Sequence, residues 1–286
     1  MKHINPKEIP VPELFATLLG AIAPRPIAFV STIDEKGNHN LAPFSFFNMF
    51  GANPPTIVFS PSRKGRDNTT KHTYENVKVI PEAVVNVVNF DMVHQTSLSS
   101  NDFPRDVSEF KKAGFTPIES ELVKPMRVAE SPVQMECKVL QVIETGDLAS
   151  AGNLVICEII KIHINENVLT PEGKIDQHKI NLVGRLGGNY YCRASGSALF
   201  EVAKPGATPS IGVDSLPENV KSSRILTGND LGQLGSLKKM PTQDEIKEAK
   251  NDEQYINLKN DETKIHLLAQ ELIAQGKLVK AYSILM

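Results

Sequence analysis

Hydrophobic and polar residues alternate with a period of two in two long stretches of this chain. Val133, Met135, Cys137 and Val139 alternate with polar residues, and the stretch 153–164 repeats the pattern with isoleucines. A period of two places successive side chains on opposite faces of a strand, so both stretches are predicted to be half-buried β-strands. Glycines and an aspartate lie between them, which predicts an antiparallel connection.

Shorter apolar segments in the first ninety residues are also predicted strands. These strands span 27–33, 39–44, 56–60 and 83–89, and the turn residues Asp34–Gly37 join the first two as a hairpin. Short helices are predicted at 12–19, within 69–80 and at 108–114. Strands and helices do not alternate regularly, which favours a closed or nearly closed antiparallel β-barrel over a doubly wound sheet.

The character of the chain changes after about Pro205. A loop-rich segment comes first, and Thr242–Glu245 then forms a capping box that predicts a helix start. From Asp261 onward, apolar residues recur at helical spacing opposite polar residues of both charge signs, which predicts an amphipathic helix that is not of the basic, membrane-surface type. We therefore predict one domain over 1–204 and a loop-rich, helical C-terminal extension over 205–286.

Composition excludes several classes of function. Of the 286 residues, 41% are hydrophobic and 22% charged, with a net charge of -2, so no basic excess favours nucleic acid. No apolar run approaches the ~18 residues of a membrane-spanning helix. The N-terminal segment carries prolines where a secretion signal needs an apolar run, which predicts a cytoplasmic protein.

The cysteines and histidines do not form a metal-binding or disulfide pattern. Cys137, Cys157 and Cys192 lie far apart with no C-x-x-C pair, which favours buried free thiols. The seven histidines show neither H-x-x-x-H nor H-E-x-x-H spacing. No metal site is predicted.

A dense group of hydroxyl and cationic side chains occupies positions 60–73. It consists of Ser60, Ser62, Arg63, Lys64, Arg66, Thr69, Thr70, Lys71 and Thr73. A desolvated phosphate dianion needs several such donors, and the predicted helix start nearby adds backbone N–H groups. The alternative is an ordinary solvated charged loop, which composition alone favours.

The segment 40–47 is unusually apolar for the end of a hairpin. Pro43, Phe44, Phe46 and Phe47 cluster there. We interpret it as a loop that presents main-chain N–H groups to a planar ligand while its side chains form an apolar wall. The alternative is core packing at the rim of the barrel.

Several motifs, in this order, resemble one known family. They are PRPIAFVST (24–32), NLAPFSFF (40–47), NPP (53–55), KHT (71–73) and RLGGNYY (185–191). Over residues 8 to 200 the chain is similar to the flavin reductase-like, FMN-binding split-barrel family. The resemblance implies a mainly β fold with peripheral helices, an antiparallel Greek-key split barrel, and a homodimer that binds FMN near the subunit interface.

The resemblance also implies the cofactor-binding residues. The flavin ring would lie along Ala42, Pro43, Phe44 and Ser45, and the phosphate would meet Ser60, Arg63, Lys71 and Thr73. Asn40 and Arg185 complete the predicted set, with Arg185 and Tyr190 closing the pocket. Where the family commonly has aspartate, this chain has His72.

The function implied is that of an oxidoreductase passing electrons from NAD(P)H through bound FMN, or FAD, to an acceptor. The cofactor carries that chemistry, so no acid or base side chain is required. A second hypothesis is a non-catalytic electron carrier, similar to flavoredoxin, that is reduced by a protein partner. A third treats the barrel as a binding module whose C-terminal extension recruits a partner.

Overall fold

Two long antiparallel strands, β8 (Val133–Glu144) and β9 (Asn153–Ile164), form the middle of the largest sheet. The computed structural model describes residues 1–286 and divides them into two compact units, Met1–Phe200 and Glu201–Met286. The predicted pairing of these strands is confirmed. Cys137, Val155 and Cys157 are fully buried in the core of the first unit. The predicted half-burial holds only in part, because Ile162 of β9 is 52% exposed and the polar Glu136 of β8 is fully buried.

The first unit contains eleven strands and four helices. The remaining strands are β1 (Ala28–Ile33), β2 (His39–Phe44), β3 (Phe47–Ala52), β4 (Pro55–Phe59), β5 (Glu82–Val87), β6 (Pro117–Ile118), β7 (Arg127–Val128), β10 (Val183–Arg185) and β11 (Tyr191–Arg193). The helices are α1 (Val11–Ala21), α2 (His72–Val79), α3 (Val93–Leu98) and α4 (Glu109–Ala113). The predicted strands and helices of this unit are present, with ends displaced by one to three residues for most of them.

The main sheet has the strand order β2-β1-β5-β8-β9-β4-β3, and every neighbouring pair is antiparallel. No backbone ladder joins the two end strands, β2 and β3, so a fully closed barrel is not shown. The sheet nevertheless curves strongly. This is shown by Phe44 of β2, whose ring stacks on that of Phe59 of β4 with centroids 5.8 Å apart. Strands near opposite ends of the order therefore meet across one core.

The prediction for the segment 40–47 needs correction, and several elements of this unit were missed. The segment 40–47, interpreted as a loop, is largely strand: β2 runs to Phe44 and β3 begins at Phe47, so only two residues lie between the strands. The helix α3 was missed, as were the strand β3 and the short strands β6, β7, β10 and β11. In β3 no residue is fully buried, so its side chains lack the alternation that marks a half-buried strand.

The second unit is helical and has its own core. Its helices are α5 (Glu218–Lys221), α6 (Gly228–Gly235), α7 (Gln243–Lys250), α8 (Glu253–Ile256), α9 (Glu262–Ala274) and α10 (Leu278–Leu285). The predicted capping box is confirmed, since Thr242 and Glu245 bond reciprocally at the start of α7. The single amphipathic helix predicted from Asp261 is two helices, because Gly276 takes a φ of 73° between α9 and α10. No helix of either unit is long and apolar enough to cross a membrane.

Candidate functional site

A cavity of about 280 Å³, here called the main cavity, opens beside the end of β2. Its walls come from α1, from the β2–β3 connection, from the end of β4 and from the β10–β11 hairpin. Seven of the ten predicted cofactor-binding residues line it. They are Ala42, Pro43, Phe44, Ser45, Ser60, Lys71 and Arg185. The structure therefore brings together most of what the sequence motifs suggested, across more than 140 residues of chain.

One side of the main cavity is apolar. Phe15 and Leu19, one helical turn apart on α1, line it together with Pro43, Phe44 and Phe46. The rings of Phe15 and Phe46 meet edge to face with centroids 6.1 Å apart. This side offers a planar ligand a water-excluding surface.

The polar side of the main cavity carries hydroxyl groups and a lysine. Ser60, Ser62 and Lys71 line it, and Ser60 Oγ accepts a hydrogen bond from the backbone N–H of Asn153 at 3.1 Å. Lys71 is also the N-cap of α2, and no side chain caps that helix. The first N–H groups of α2 therefore remain available to an anion.

The charged side chains that line the main cavity are all positive. Arg25, Lys71 and Arg185 line it, and no aspartate or glutamate does. Burial lowers the pKa of Lys71, and burial together with the nearby Arg185 charge lowers the pKa of Arg25. Burial disfavours the charged form of both side chains, and an anion bound in the cavity would favour it.

Three predicted residues lie outside the main cavity. Asn40 Nδ2 donates to Thr73 Oγ1 at 2.8 Å, and both side chains are buried. Arg63 turns back onto its own loop, where its Nε donates to Asn68 Oδ1 at 2.7 Å. The phosphate contacts predicted for Arg63 and Thr73 are therefore not on the cavity wall of this chain. Tyr190, predicted to close the pocket, is 75% exposed and does not line the cavity.

Asn40 and Thr73 instead line a small adjoining cavity of about 40 Å³, here called the lysine pocket. It shares Lys71, Ala42 and Ser100 with the main cavity, and Lys64 and Glu109 also line it. Burial raises the pKa of Glu109, whose Oε2 accepts a hydrogen bond from the Leu41 N–H at 3.1 Å.

Sequence reasoning missed five residues of the main cavity. They are Phe15, Leu19, Arg25, Ser100 and Leu186. The spacing of Phe15 and Leu19 on one helical face was an available signal. Arg25 lies in the PRP motif, and its side chain is only 6% exposed. An arginine between two prolines before a buried strand was the signal that could have identified it.

Two further cavities continue from the main one. The bridge cavity, about 260 Å³, shares Pro43, Ser45, Ser100 and Arg185 with it. The hairpin cavity, about 390 Å³, lies against β10 and β11 and shares Arg185 with both. No group of three or more His, Cys, Asp or Glu side chains is arranged to hold a metal ion.

Comparison with known proteins assigns this architecture to a family. The family model described as "Flavin reductase like domain" matches residues 20–179. Nitrilotriacetate monooxygenase component B from Bacillus cereus is 33% identical with a TM-score of 0.66, and the match covers 71% of this chain and 98% of that chain. The 2-nitrobenzoate 2-nitroreductase of Pseudomonas fluorescens is 28% identical with a TM-score of 0.64, covering 74% and 100%. A split-barrel protein from Shewanella frigidimarina is 25% identical with a TM-score of 0.59, covering 71% and 100%.

Proposed function

Because this chain belongs to the flavin reductase-like family, we propose that its main cavity binds FMN, with FAD as the alternative flavin, and that the protein passes electrons from NAD(P)H to an acceptor. The observation that carries the proposal is the composition of one cavity wall. Apolar residues, hydroxyl groups and three cations line the main cavity without a single carboxylate.

The residues present fit a flavin mononucleotide. Its planar ring needs an apolar wall, for which Phe15, Pro43 and Phe44 are suited, and its dianionic phosphate needs charge-assisted donors. Lys71 and the uncapped N-terminus of α2 are such donors. The main cavity is slightly smaller than the ~300 Å³ lower bound of typical ligand pockets, and the bridge cavity that shares its walls extends it.

The chain's own part in the reaction is binding, orientation and exclusion of water. When bound, a flavin supplies the capacity to accept a hydride and to release electrons to an acceptor. Phe15 and Phe46 exclude water from the apolar side, and Lys71 holds negative charge at the polar side. Arg25 and Arg185 keep the surroundings positive, which favours an anionic ligand state.

The names of the relatives support a reductase with a separate acceptor. The Bacillus cereus protein is one component of a monooxygenase, and the Pseudomonas fluorescens protein is a nitroreductase. For this chain, the proposal is limited to a flavin-dependent oxidoreductase whose acceptor is external.

The proposal includes a homodimer, because a large apolar surface is uncovered next to the main cavity. Helix α1 is mostly apolar yet has no buried residue. Met49 and Phe50 of β3 are 66% and 68% exposed. The contact of Phe15 with Phe46 joins these two regions, here called the apolar face, and both of these rings also line the main cavity. A second copy of the chain would cover the apolar face and complete the wall of the cavity.

The first experiment is an absorbance spectrum of the purified protein, followed by release and identification of any chromophore. We expect a two-banded flavin spectrum with FMN recovered, and bleaching of that spectrum by NADH or NADPH in a stopped-flow experiment. A protein that is colourless and binds neither added FMN nor added FAD would contradict the proposal. Bleaching by a reduced redox protein but by neither nucleotide would contradict the NAD(P)H assignment and favour the electron carrier.

A substitution at Lys71 tests where the phosphate binds. Lys71→Gln should weaken FMN binding roughly tenfold to a hundredfold, because a charge-assisted hydrogen bond is lost. Riboflavin, which has no phosphate, should bind both proteins equally. Lys36→Gln, in an exposed turn, is the matched control. Equal losses for FMN and riboflavin would place the phosphate elsewhere.

A further inference from the structure

The hairpin cavity is positively charged and has no acidic residue on its walls. Arg185 and Arg193 line it together with the aromatic rings of Phe90 and Tyr191. Neither arginine has a carboxylate oxygen within 4.0 Å, whereas Arg66 and Arg105 each form ion pairs. The hairpin cavity therefore presents two guanidinium groups whose charges are not paired.

Both guanidinium groups are held in place by neighbouring groups. The Cζ of Arg193 lies 4.0 Å from the ring centroid of Phe90, and its Nε donates to Asn181 Oδ1 at 2.7 Å. The Cζ of Arg185 lies 4.6 Å from the ring centroid of Tyr191, and its Nη1 donates to the carbonyl oxygen of Tyr190 at 2.9 Å. Each guanidinium keeps further N–H groups free for an anion, and its fixed position reduces the entropy lost on binding.

The hairpin cavity is connected to the main cavity. Arg185 lines the main, bridge and hairpin cavities, while Val93 and Ser97 line both the bridge and the hairpin cavities. A ligand anchored at Arg193 could therefore extend past Arg185 to the main cavity. In the proposed function, Lys71 and the N-terminus of α2 bind the one phosphate of FMN, which leaves Arg193 for a second molecule and places Arg185 between the two ligands.

We propose that the hairpin cavity is an anion-binding site for the second substrate and that it takes the phosphate groups of the dinucleotide electron donor. This inference rests on the proposed function of the main cavity. A carboxylate on an aromatic acceptor has related chemistry. The dinucleotide is favoured because it is a long ligand. The hairpin cavity has a volume of about 390 Å³, and the bridge cavity lies between it and the main cavity.

The direct test is binding of ADP-ribose to the flavin-loaded, full-length protein by calorimetry. ADP-ribose carries the diphosphate of the donor but cannot reduce flavin. Wild-type protein should bind it, and Arg193→Gln should weaken binding roughly tenfold to a hundredfold through the lost charge-assisted hydrogen bonds. Arg224→Gln, an exposed arginine of the second unit, is the matched control and should bind like wild type. Equal affinity in Arg193→Gln and Arg224→Gln would overturn the proposal.

Cys192 provides an independent readout, because it is one of the residues that line the hairpin cavity. It is partly exposed, whereas Cys137 and Cys157 are fully buried and burial raises the pKa of Cys157 to about 12. A thiol reagent should therefore label Cys192 first in the folded protein. ADP-ribose should slow that labelling in wild type and much less in Arg193→Gln. Labelling that ADP-ribose leaves unchanged in wild type would place the ligand elsewhere.

Two comparisons are needed. One distinguishes the dinucleotide donor from an acidic acceptor, and the other distinguishes a failure of this proposal from a failure of the proposed function. Arg193→Gln should raise KM for NADH or NADPH while leaving the Kd for FMN unchanged, since Arg193 does not line the main cavity. If benzoate binds in an Arg193-dependent manner and ADP-ribose does not, the donor assignment is wrong and an acidic acceptor occupies the cavity. If the protein binds no flavin, the proposed function is wrong. If that protein still binds ADP-ribose and Arg193→Gln weakens the binding, the hairpin cavity is nevertheless an anion site.

Discussion

The guanidinium of Arg25 donates a hydrogen bond from Nη2 to the carbonyl oxygen of Leu186 at 3.0 Å, across 161 residues of sequence. Its Nη1 donates to the carbonyl oxygens of Leu19, at 2.8 Å, and of Ile22, while its Nε lies 3.4 Å from Ser45 Oγ. The carbonyls at the end of a helix lack partners within the helix and favour a cation. One side chain therefore joins α1, the β2–β3 connection and the β10–β11 hairpin around the main cavity.

Arg25→Gln should destabilise the protein and weaken its flavin binding. The variant leaves several carbonyl oxygens without their charged donor, and we expect a loss of about 2–4 kcal/mol in the free energy of unfolding. Arg25→Lys should recover only part of it, because a single ammonium cannot reproduce the planar fork of donors. Urea denaturation measures the first effect and FMN titration the second. Arg224→Gln serves as the control, and an unfolding curve for Arg25→Gln that matches the control would contradict this role.

The local pattern was sufficient to predict six of the seven strands of the main sheet, and the resemblance to the family supplied Pro43, Ser60 and Lys71 on one side of the main cavity. The alternation marked β8 and β9 as strands, although Glu136 is fully buried and Ile162 is 52% exposed. The side formed by Arg25 and Leu186 depends on a contact between distant parts of the chain. A single sequence carries no signal for that pairing, so the contact between these two segments could not be predicted, although the local pattern around Arg25 was recognisable.

Arg63 and Thr73, two of the residues predicted to contact the phosphate, do not line the main cavity. Arg63 lies among the hydroxyl and cationic residues of 60–73, but the turn that follows it directs its guanidinium to the side chain and carbonyl of Asn68. Thr73 is the second residue of α2, and its hydroxyl accepts a hydrogen bond from Asn40 Nδ2. Residue types suited to a phosphate can be identified from the sequence, whereas the direction of each side chain depends on backbone geometry that composition does not report.

Substitutions on the apolar face should separate the proposed homodimer. Replacing Met49 and Phe50 together by aspartate places two charges on a surface that a second copy would desolvate, and we expect the dimer Kd to rise by at least about a hundredfold. Light scattering coupled to size-exclusion chromatography measures the mass. Leu148→Asp, at a residue that is 74% exposed outside the apolar face, is the control. A wild-type protein that is already monomeric at micromolar concentration would contradict the dimer.

The buried carboxyl of Glu109 should make stability depend on pH in an unusual direction. Burial raises its pKa above the ordinary value of 4.5, against the effect of hydrogen bonds from backbone N–H groups, including that of Leu41. Above pH 4.5 the unfolded chain releases this proton while the folded chain still holds it. The contribution of Glu109 to stability therefore falls as pH rises through the window between 4.5 and the raised pKa.

Glu109→Gln removes this titration and keeps an oxygen acceptor for the Leu41 N–H. The free energy of unfolding of Glu109→Gln, minus that of wild type, should increase as pH rises through that window and then level off. Urea denaturation at half-unit pH steps from 4 to 7 measures the difference, with the exposed Glu35→Gln as control. A difference that stays constant with pH, or that decreases, would contradict the assignment.

The C-terminal unit should be separable from flavin binding. Its thirteen fully packed core residues, which include Leu234, Leu272 and Tyr282, all belong to 201–286, and the family match ends at residue 179. A chain ending at Phe200 should therefore retain its flavin, with an FMN affinity within about twofold of the full chain, as expected for a domain with its own core. Residues 201–286 alone should give a helical circular dichroism spectrum with a cooperative melt.

Full-length protein cleaved at a protease site inserted at 200/201 controls for the cut itself. If the chain ending at Phe200 loses its flavin while the cleaved protein keeps it, the extension is part of the flavin domain, and the boundary predicted at 204/205 is wrong.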